Sequence, residues 1–334
     1  MEKNPKKKYS IKNKLFAHLE AWRLYTVIWC GLVSLSGCLI AFNINRDFPS
    51  IEIAFLAFII PMIGWTAGLY LSDYLDRNLD AIQKPHRPIP SGRITPNEAL
   101  IVGGIFAVVG FILSFILGVN NVLLVFIVAL LVFLYARISK SRGLMGNINR
   151  GIVTVAAYFF GVFSANLSIK SIPLYIWLLS IVFLIHDTNS NLVGAIRDIE
   201  GDKKGGYKTI PVKYGIKKSV FISLILTIVW FSLVIYIPYS YSFVKNIFYF
   251  VIIFDLIILL SLYIFLFRSI GNYSRQKALK YHEFFVIERI TLACAFIFGI
   301  INFYQAFSIY LISIIITFVS QYLLRNRYEF QGNI

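Results

Sequence analysis

Apolar runs of about 20 residues recur along the whole chain, and they leave few architectures open. A run of that length crosses roughly 30 Å of hydrocarbon as a helix. The runs fall at 25–44, 52–72, 98–118, 121–136, 151–168, 172–194, 219–239, 245–267 and 288–324. The last is too long for one ordinary span and predicts either one extended helix or two short ones broken near Asn302–Gln305. The runs are continuous rather than alternating, which argues against a membrane β-barrel. Of the 334 residues, 58% are hydrophobic and only 14% charged, against roughly 25% charged in soluble domains. The expectation is an all-α, multi-pass transmembrane bundle of about nine helices, or ten if the last run divides. Residues 1–24 read as a basic N-terminal segment, 25–324 as a single membrane domain and 325–334 as a short polar tail.

The net charge of +16 suggests nucleic acid, but its placement argues otherwise. Of 32 Lys and Arg, 27 lie in the N-terminal segment and in every second loop, at 77–93, 137–150, 197–218 and 268–289. The alternate loops carry only Arg46, Lys170 and Lys245. This is the positive-inside pattern, so the N-terminus and the even-numbered loops are expected on the cytoplasmic side of a cell membrane. Nucleic acid is not an expected partner; membrane lipid is. Cys30, Cys38 and Cys294 lie inside apolar runs, where thiols act as small hydrophobes. The basic first 20 residues contain no apolar core of a signal peptide, so no cleavable leader is expected.

Acidic residues sit where they are least expected. The stretch "SDYLDRNLDAIQKPHRPIPSGR", Ser72 to Arg93, ends the second run with Asp73, Asp76 and Asp80. At about 100° per residue these fall within a roughly 60° arc of one helical face. Three carboxylates crowded at a bilayer edge repel one another and lose solvation, so something positive must compensate. Mg²⁺ does this well, binding through one or two carboxylates and sharing its other positions with phosphate and water. A second acidic pair, Asp198 and Asp202, ends the sixth run at i and i+4, followed by Lys203, Lys204, Lys208 and a Gly-Gly pair. Both clusters end even-numbered spans and so share one mouth. Carboxylates beside basic loops point to a metal-bound diphosphate.

These residues carry a resemblance. The first stretch resembles the first aspartate-rich motif of the UbiA family of intramembrane prenyltransferases, N-D-x-x-D-x-x-x-D followed by R-P-[IL]-P-S-G. "RDIEGDKKGGYKTIPV" resembles that family's second motif, D-x-x-x-D with a basic glycine-containing loop and T-[IL]-P-V. The resemblance covers roughly residues 15 to 270. It implies that Asp76, Asp80, Asp198 and Asp202 are catalytic and that they, with Asp73, hold Mg²⁺, two ions in all. The donor implied is an isoprenoid diphosphate, ionised to an allylic carbocation and passed to an aromatic or lipid-like acceptor. One departure stands out: Ser72 occupies the position where the family usually has Asn, a longer and better oxygen ligand.

The same resemblance implies that Arg87 and Lys140 reach the diphosphate, with Lys208 as a third candidate, and that Arg23 helps define the substrate pocket. Tyr135 could line that pocket, its π-face stabilising a carbocation. Asn191, along the sixth span, faces the second cluster and could support a metal or an acceptor. Topology-setting cations, interfacial snorkelling and helix-bridging amides are the plain alternatives for these side chains. Asp255, alone in the middle of the eighth run, is costly there and has no evident partner. Two other functions fit less well. An intramembrane terpene cyclase would use the same ionisation without an acceptor, and donor-only product analysis separates it. A cation transporter would keep its site near the midplane, whereas these clusters lie at one mouth.

Overall fold

The structure, a computed structural model, describes residues 9–139, 143–271 and 273–329, and among them it is helical with no strand. A short α1 (Ile11–Trp22), capped by the Ser10 hydroxyl accepting from the Asn13 N–H at 3.3 Å, lies ahead of the bundle. The bundle comprises α2 (Leu24–Asn43), α3 (Ile51–Gln83), α4 (Pro96–Leu117), α5 (Val119–Leu134), α6 (Leu144–Phe163) and α7 (Leu174–Arg197). A short α8 (Ile199–Lys204) leads to α9 (Ile210–Tyr241), α10 (Ile247–Ser269), α11 (Arg275–Ile300) and α12 (Phe303–Ser320). One π-helical turn and a last short helix, α13 (Asn326–Glu329), follow.

Seven of these helices (α2, α3, α4, α7, α9, α10 and α12) are long and apolar enough on their own to cross a membrane. The nine runs expected from the sequence each find a helix. The longest divides, as one of its two expected forms requires, into the end of α11 and α12. Ile301 is extended (φ −85°, ψ −176°), and the Asn302 side chain starts the new helix by accepting from the Gln305 N–H at 2.9 Å. An apolar run therefore does not guarantee an unbroken helix when an N-capping residue lies inside it.

Two features position the site. α3 has 33 residues, about 50 Å at 1.5 Å per residue, so its C-terminal turns project beyond roughly 30 Å of hydrocarbon. Those turns carry all three of its aspartates. After them the chain folds into tight turns through Gly92, whose φ of +77° favours glycine. It then enters α4 through a capping box between Thr95 and Glu98, with Pro96 in the first turn. This double anchoring returns the 84–94 loop to the end of α3.

At the centre, α2 and the C-terminal half of α11 are almost wholly buried. The Ser36 hydroxyl of α2 donates to the Ala293 carbonyl of α11 at 2.9 Å. Between α2 and α6, Gly37 lies against the Tyr158 backbone and Gly161 against the Ser34 backbone, closer than any Cβ would permit. The outer helices α4, α5, α10 and α12 expose large apolar residues such as Phe115, Phe126, Phe250 and Phe318, a surface suited to lipid and not to water.

Candidate active site

α3 and α7 end, and α11 begins, around one cavity of about 960 Å³. Asp73, Asp76, Asp80, Asp198 and Asp202 all line it. Further in, much of the wall is apolar, with Gly64, Gly68, Gly104, Ala107, Ala129 and Phe160. The cavity thus joins a charged mouth to a hydrocarbon-like interior. The segment after α3 also reaches the second cluster: Lys84 Nζ lies 3.9 Å from Asp198 Oδ1 at the end of α7.

In the first cluster each carboxylate has its own surroundings. Asp73 accepts from the Arg23 guanidinium and from the Tyr328 hydroxyl, the latter at 2.9 Å. Arg23 reaches it because the α1–α2 junction turns sharply there, with Arg23 itself in the left-handed region at φ 48°. Asp80 accepts from Arg87 Nη1 at 3.0 and 2.9 Å, one nitrogen bonding both oxygens. The Ser72 hydroxyl donates to Asp76 at 3.3 Å, one turn along α3. Removing one partner from a buried pair of the Asp80–Arg87 kind costs about 3–5 kcal/mol, because the other charge stays buried.

The second cluster is held by its sequence neighbours. α7 stops at Asp198, whose backbone leaves helical geometry at φ −98°, ψ 10°. Arg197 forks onto it, with Nη2 at 2.5 Å and Nε at 3.2 Å. Asp202 accepts from the Thr209 hydroxyl at 3.1 Å, and its carbonyl accepts from the Tyr207 N–H at 2.9 Å. The Gly205–Gly206 turn, with Gly206 at φ +71°, brings Thr209 back to it. Burial would raise the Asp198 carboxyl, but the charges of Arg197 and Lys84 outweigh it and hold the group well below the usual carboxylate range. Burial lowers the Lys84 ammonium below the ordinary lysine value, partly offset by Glu329 and Asp198.

Hard carboxylate oxygens facing a shared opening fit Mg²⁺. Among the described residues, no three His, Cys, Asp or Glu side chains converge closely enough to hold a metal alone. Of the other expected residues, Arg23, Ser72, Arg87, Tyr135 and Asn191 also line the cavity. Asn191 lies deeper, its amide donating to Asn147 Oδ1 at 3.1 Å. Lys208 is exposed and does not line the cavity, whereas its neighbours Tyr207 and Thr209 do. Lys140 lies outside the described residues.

Several cavity residues escape sequence reasoning. Lys84 and Arg197 sit inside the two motifs, and only that position could have pointed to them. Arg150 and Arg289 line the inner cavity and flank the fully buried Asp187, at 3.6 and 3.2 Å. Each guanidinium also stacks on an indole, Arg150 on Trp65 and Arg289 on Trp29. Arg275 and Glu329 complete the mouth. Asp255 is fully buried inside the bundle and is not part of the cavity lining.

Paired aspartate clusters at the mouth of an apolar membrane cavity define the class: an intramembrane prenyltransferase. Residues 27–288 match the UbiA prenyltransferase family, and the chain belongs to that family. It is similar to the digeranylgeranylglyceryl phosphate synthase of Sulfurisphaera tokodaii, with 29% identity over 78% of this chain and 91% of that protein. A solved structure of a digeranylgeranylglyceryl phosphate synthase superposes with a TM-score of 0.64 and 27% identity, covering 86% of this chain and 99% of that one. A UbiA homologue from Archaeoglobus fulgidus, solved with GPP and Mg²⁺, shares the fold at a TM-score of 0.55 and 16% identity, over 92% and 99% of the two chains.

Proposed function

We propose that this enzyme ionises an isoprenoid diphosphate bound through two Mg²⁺ ions, one at each aspartate cluster, and transfers the prenyl group to a lipid-like acceptor with a glyceryl phosphate head. The observation that carries the reading is the shared cavity: both clusters open into it, Lys84 just after α3 reaches Asp198 of the second, and an apolar wall leads inward. Asp76, Asp80, Asp198 and Asp202 would hold the metal, which when bound neutralises charge on the leaving diphosphate. Arg23, Lys84, Arg87 and Arg197 supply cationic contacts to the diphosphate oxygens. The apolar part of the wall takes the hydrocarbon chain and keeps water from the carbocation, beside the ring of Tyr135. Arg150 and Arg289, deeper in, face the cavity with Asn147 and Asn191 and suit an anionic acceptor head. The charge pattern of the loops supports a cytoplasmic mouth in the cell membrane.

The test is product analysis by mass spectrometry. Purified protein is offered donors of increasing length with Mg²⁺, alone, with a prenylated glyceryl phosphate, and with an aromatic acid. The expected product is the doubly prenylated glyceryl phosphate lipid. A hydrocarbon or alcohol released from donor alone would favour a cyclase, and a prenylated aromatic would overturn the acceptor assignment.

A further inference from the structure

The last described residues lie inside the mouth of the cavity. α12 brings the chain back there, the π-helical turn Gln321–Arg325 follows, and α13 delivers Tyr328 and Glu329 among the site's cations. Both are sealed from solvent, at 1% and 4% exposure. The Glu329 carboxylate lies 3.2 Å from Arg275 Nη2, 3.6 Å from Lys84 Nζ and 3.8 Å from Arg87 Nη2. The Tyr328 ring is clamped between Arg23 and Arg87, each guanidinium 4.2 Å from its centroid. Its hydroxyl donates to Asp73.

One carboxylate touching three basic side chains from two elements is the arrangement an anionic ligand makes. Arg23, Lys84 and Arg87 are also the side chains assigned above to the diphosphate. The segment that supplies this anion, α12 to α13, lies beyond the 27–288 family match. We infer that Tyr328 and Glu329 form an internal ligand of the donor site, which occupies the diphosphate's cationic contacts and must withdraw before donor binds. The inference rests on the proposed assignment of Lys84 and Arg87 to the donor.

Electrostatics favours exchange rather than coexistence. With the donor bound, Glu329 would face diphosphate oxygens across the same cations, and like charges at that range repel. With Glu329 withdrawn and no donor, the cations would repel one another in a buried site. The withdrawing segment is short: Arg325, 1% exposed, is tied to α11 through the Leu279 carbonyl at 3.2 Å and Glu283 at 3.5 Å. The exchange is confined to the residues after that anchor.

The experiment uses full-length detergent-purified protein and Mg²⁺ with inorganic pyrophosphate as the probe, so that no turnover is needed. Calorimetry compares wild type with Glu329→Gln and Tyr328→Phe. An internal ligand seated nine-tenths of the time weakens apparent affinity about tenfold. Glu329→Gln is therefore expected to tighten pyrophosphate binding by about three- to tenfold, and Tyr328→Phe by less. In parallel, a fluorophore on Arg327→Cys, a half-exposed position in a chain whose three native cysteines are buried, reports withdrawal. Its signal should change and saturate with pyrophosphate. Unchanged or weaker binding in Glu329→Gln, or a silent label while pyrophosphate binds, would overturn the inference and make the pair a fixed wall. Failure of the prenyl-transfer reading would show differently, as absence of product from wild type with every donor.

Discussion

The two aspartate clusters use the same residue type for the same opening, yet they differ in how far away their restraints come from. The cluster on α3 is restrained partly from afar, since Arg23 comes from the α1–α2 junction and Tyr328 from α13, while Arg87 and Ser72 are near neighbours in sequence. The cluster on α7 and α8 is restrained mainly by sequence neighbours, the adjacent Arg197 and Thr209 just beyond a glycine turn, with Lys84 reaching Asp198 from beyond α3 at 3.9 Å. A locally held group keeps its geometry whenever its own helix ends form. One held also by two distant elements keeps its full set of contacts only when the whole mouth is assembled. The first cluster can therefore report on closure of the site, and the second provides a fixed reference.

The largest test of that contrast removes the carboxylates. Asp80→Ala and the double variant Asp198→Ala, Asp202→Ala should each lower turnover on the order of 100- to 1,000-fold while the helical spectrum and monodispersity persist. EDTA should do the same to wild type, reversibly on adding Mg²⁺. Near-wild-type turnover in the double variant would show that the α3 cluster works alone. A middle-sized effect distinguishes the arginines. Arg87 bonds Asp80 through one nitrogen, which an ammonium can imitate, whereas Arg197 forks onto Asp198 through two. Initial rates of Arg87→Lys should stay within about tenfold of wild type, and those of Arg197→Lys should fall about ten- to a hundredfold. The reverse order would mean that the fork is incidental. The smallest effect is at Ser72. Ser72→Asn should tighten apparent Mg²⁺ affinity a few-fold, and Ser72→Ala should cost less than Asp76→Ala, since water can replace the hydroxyl. A Mg²⁺ titration of initial rate checks both, and a Ser72→Ala enzyme as inactive as Asp76→Ala would make the serine a direct ligand.

The same local-versus-distant distinction explains what was legible in the sequence. The spans and both clusters could be read because carboxylates ending an apolar run violate the run's own pattern. Finer placements were not legible where neighbours or distance decided. Asp73, Asp76 and Asp80 share a 60° arc and look equivalent, but three different partners separate them. Lys208 reads as a phosphate ligand from its place before Thr-Ile-Pro; the turn through Gly205 and Gly206 instead aims Thr209 at Asp202 and leaves Lys208 in solvent. Arg150 and Arg289 look like topology-setting cations until folding brings both to Asp187. Glu329 has no motif or period around it, and its partners Lys84 and Arg87 are more than 200 residues away, so no local rule could find it.

The break at Ile301–Asn302 settles the parity of the crossings. Had residues 288–324 run on as one continuous rod, everything after them would leave the bilayer on the face opposite the aspartates, out of reach of the mouth. One extended residue and one asparagine cap reverse the chain and return residues 303–329 to the side from which α11 started. Lengthening the rod by mutating Asn302 to a strong helix former would test the join, because it removes the N-cap that starts the return crossing. The address of Glu329, and whether it belongs to the catalytic compartment at all, is thus written at a point a full membrane thickness away from it.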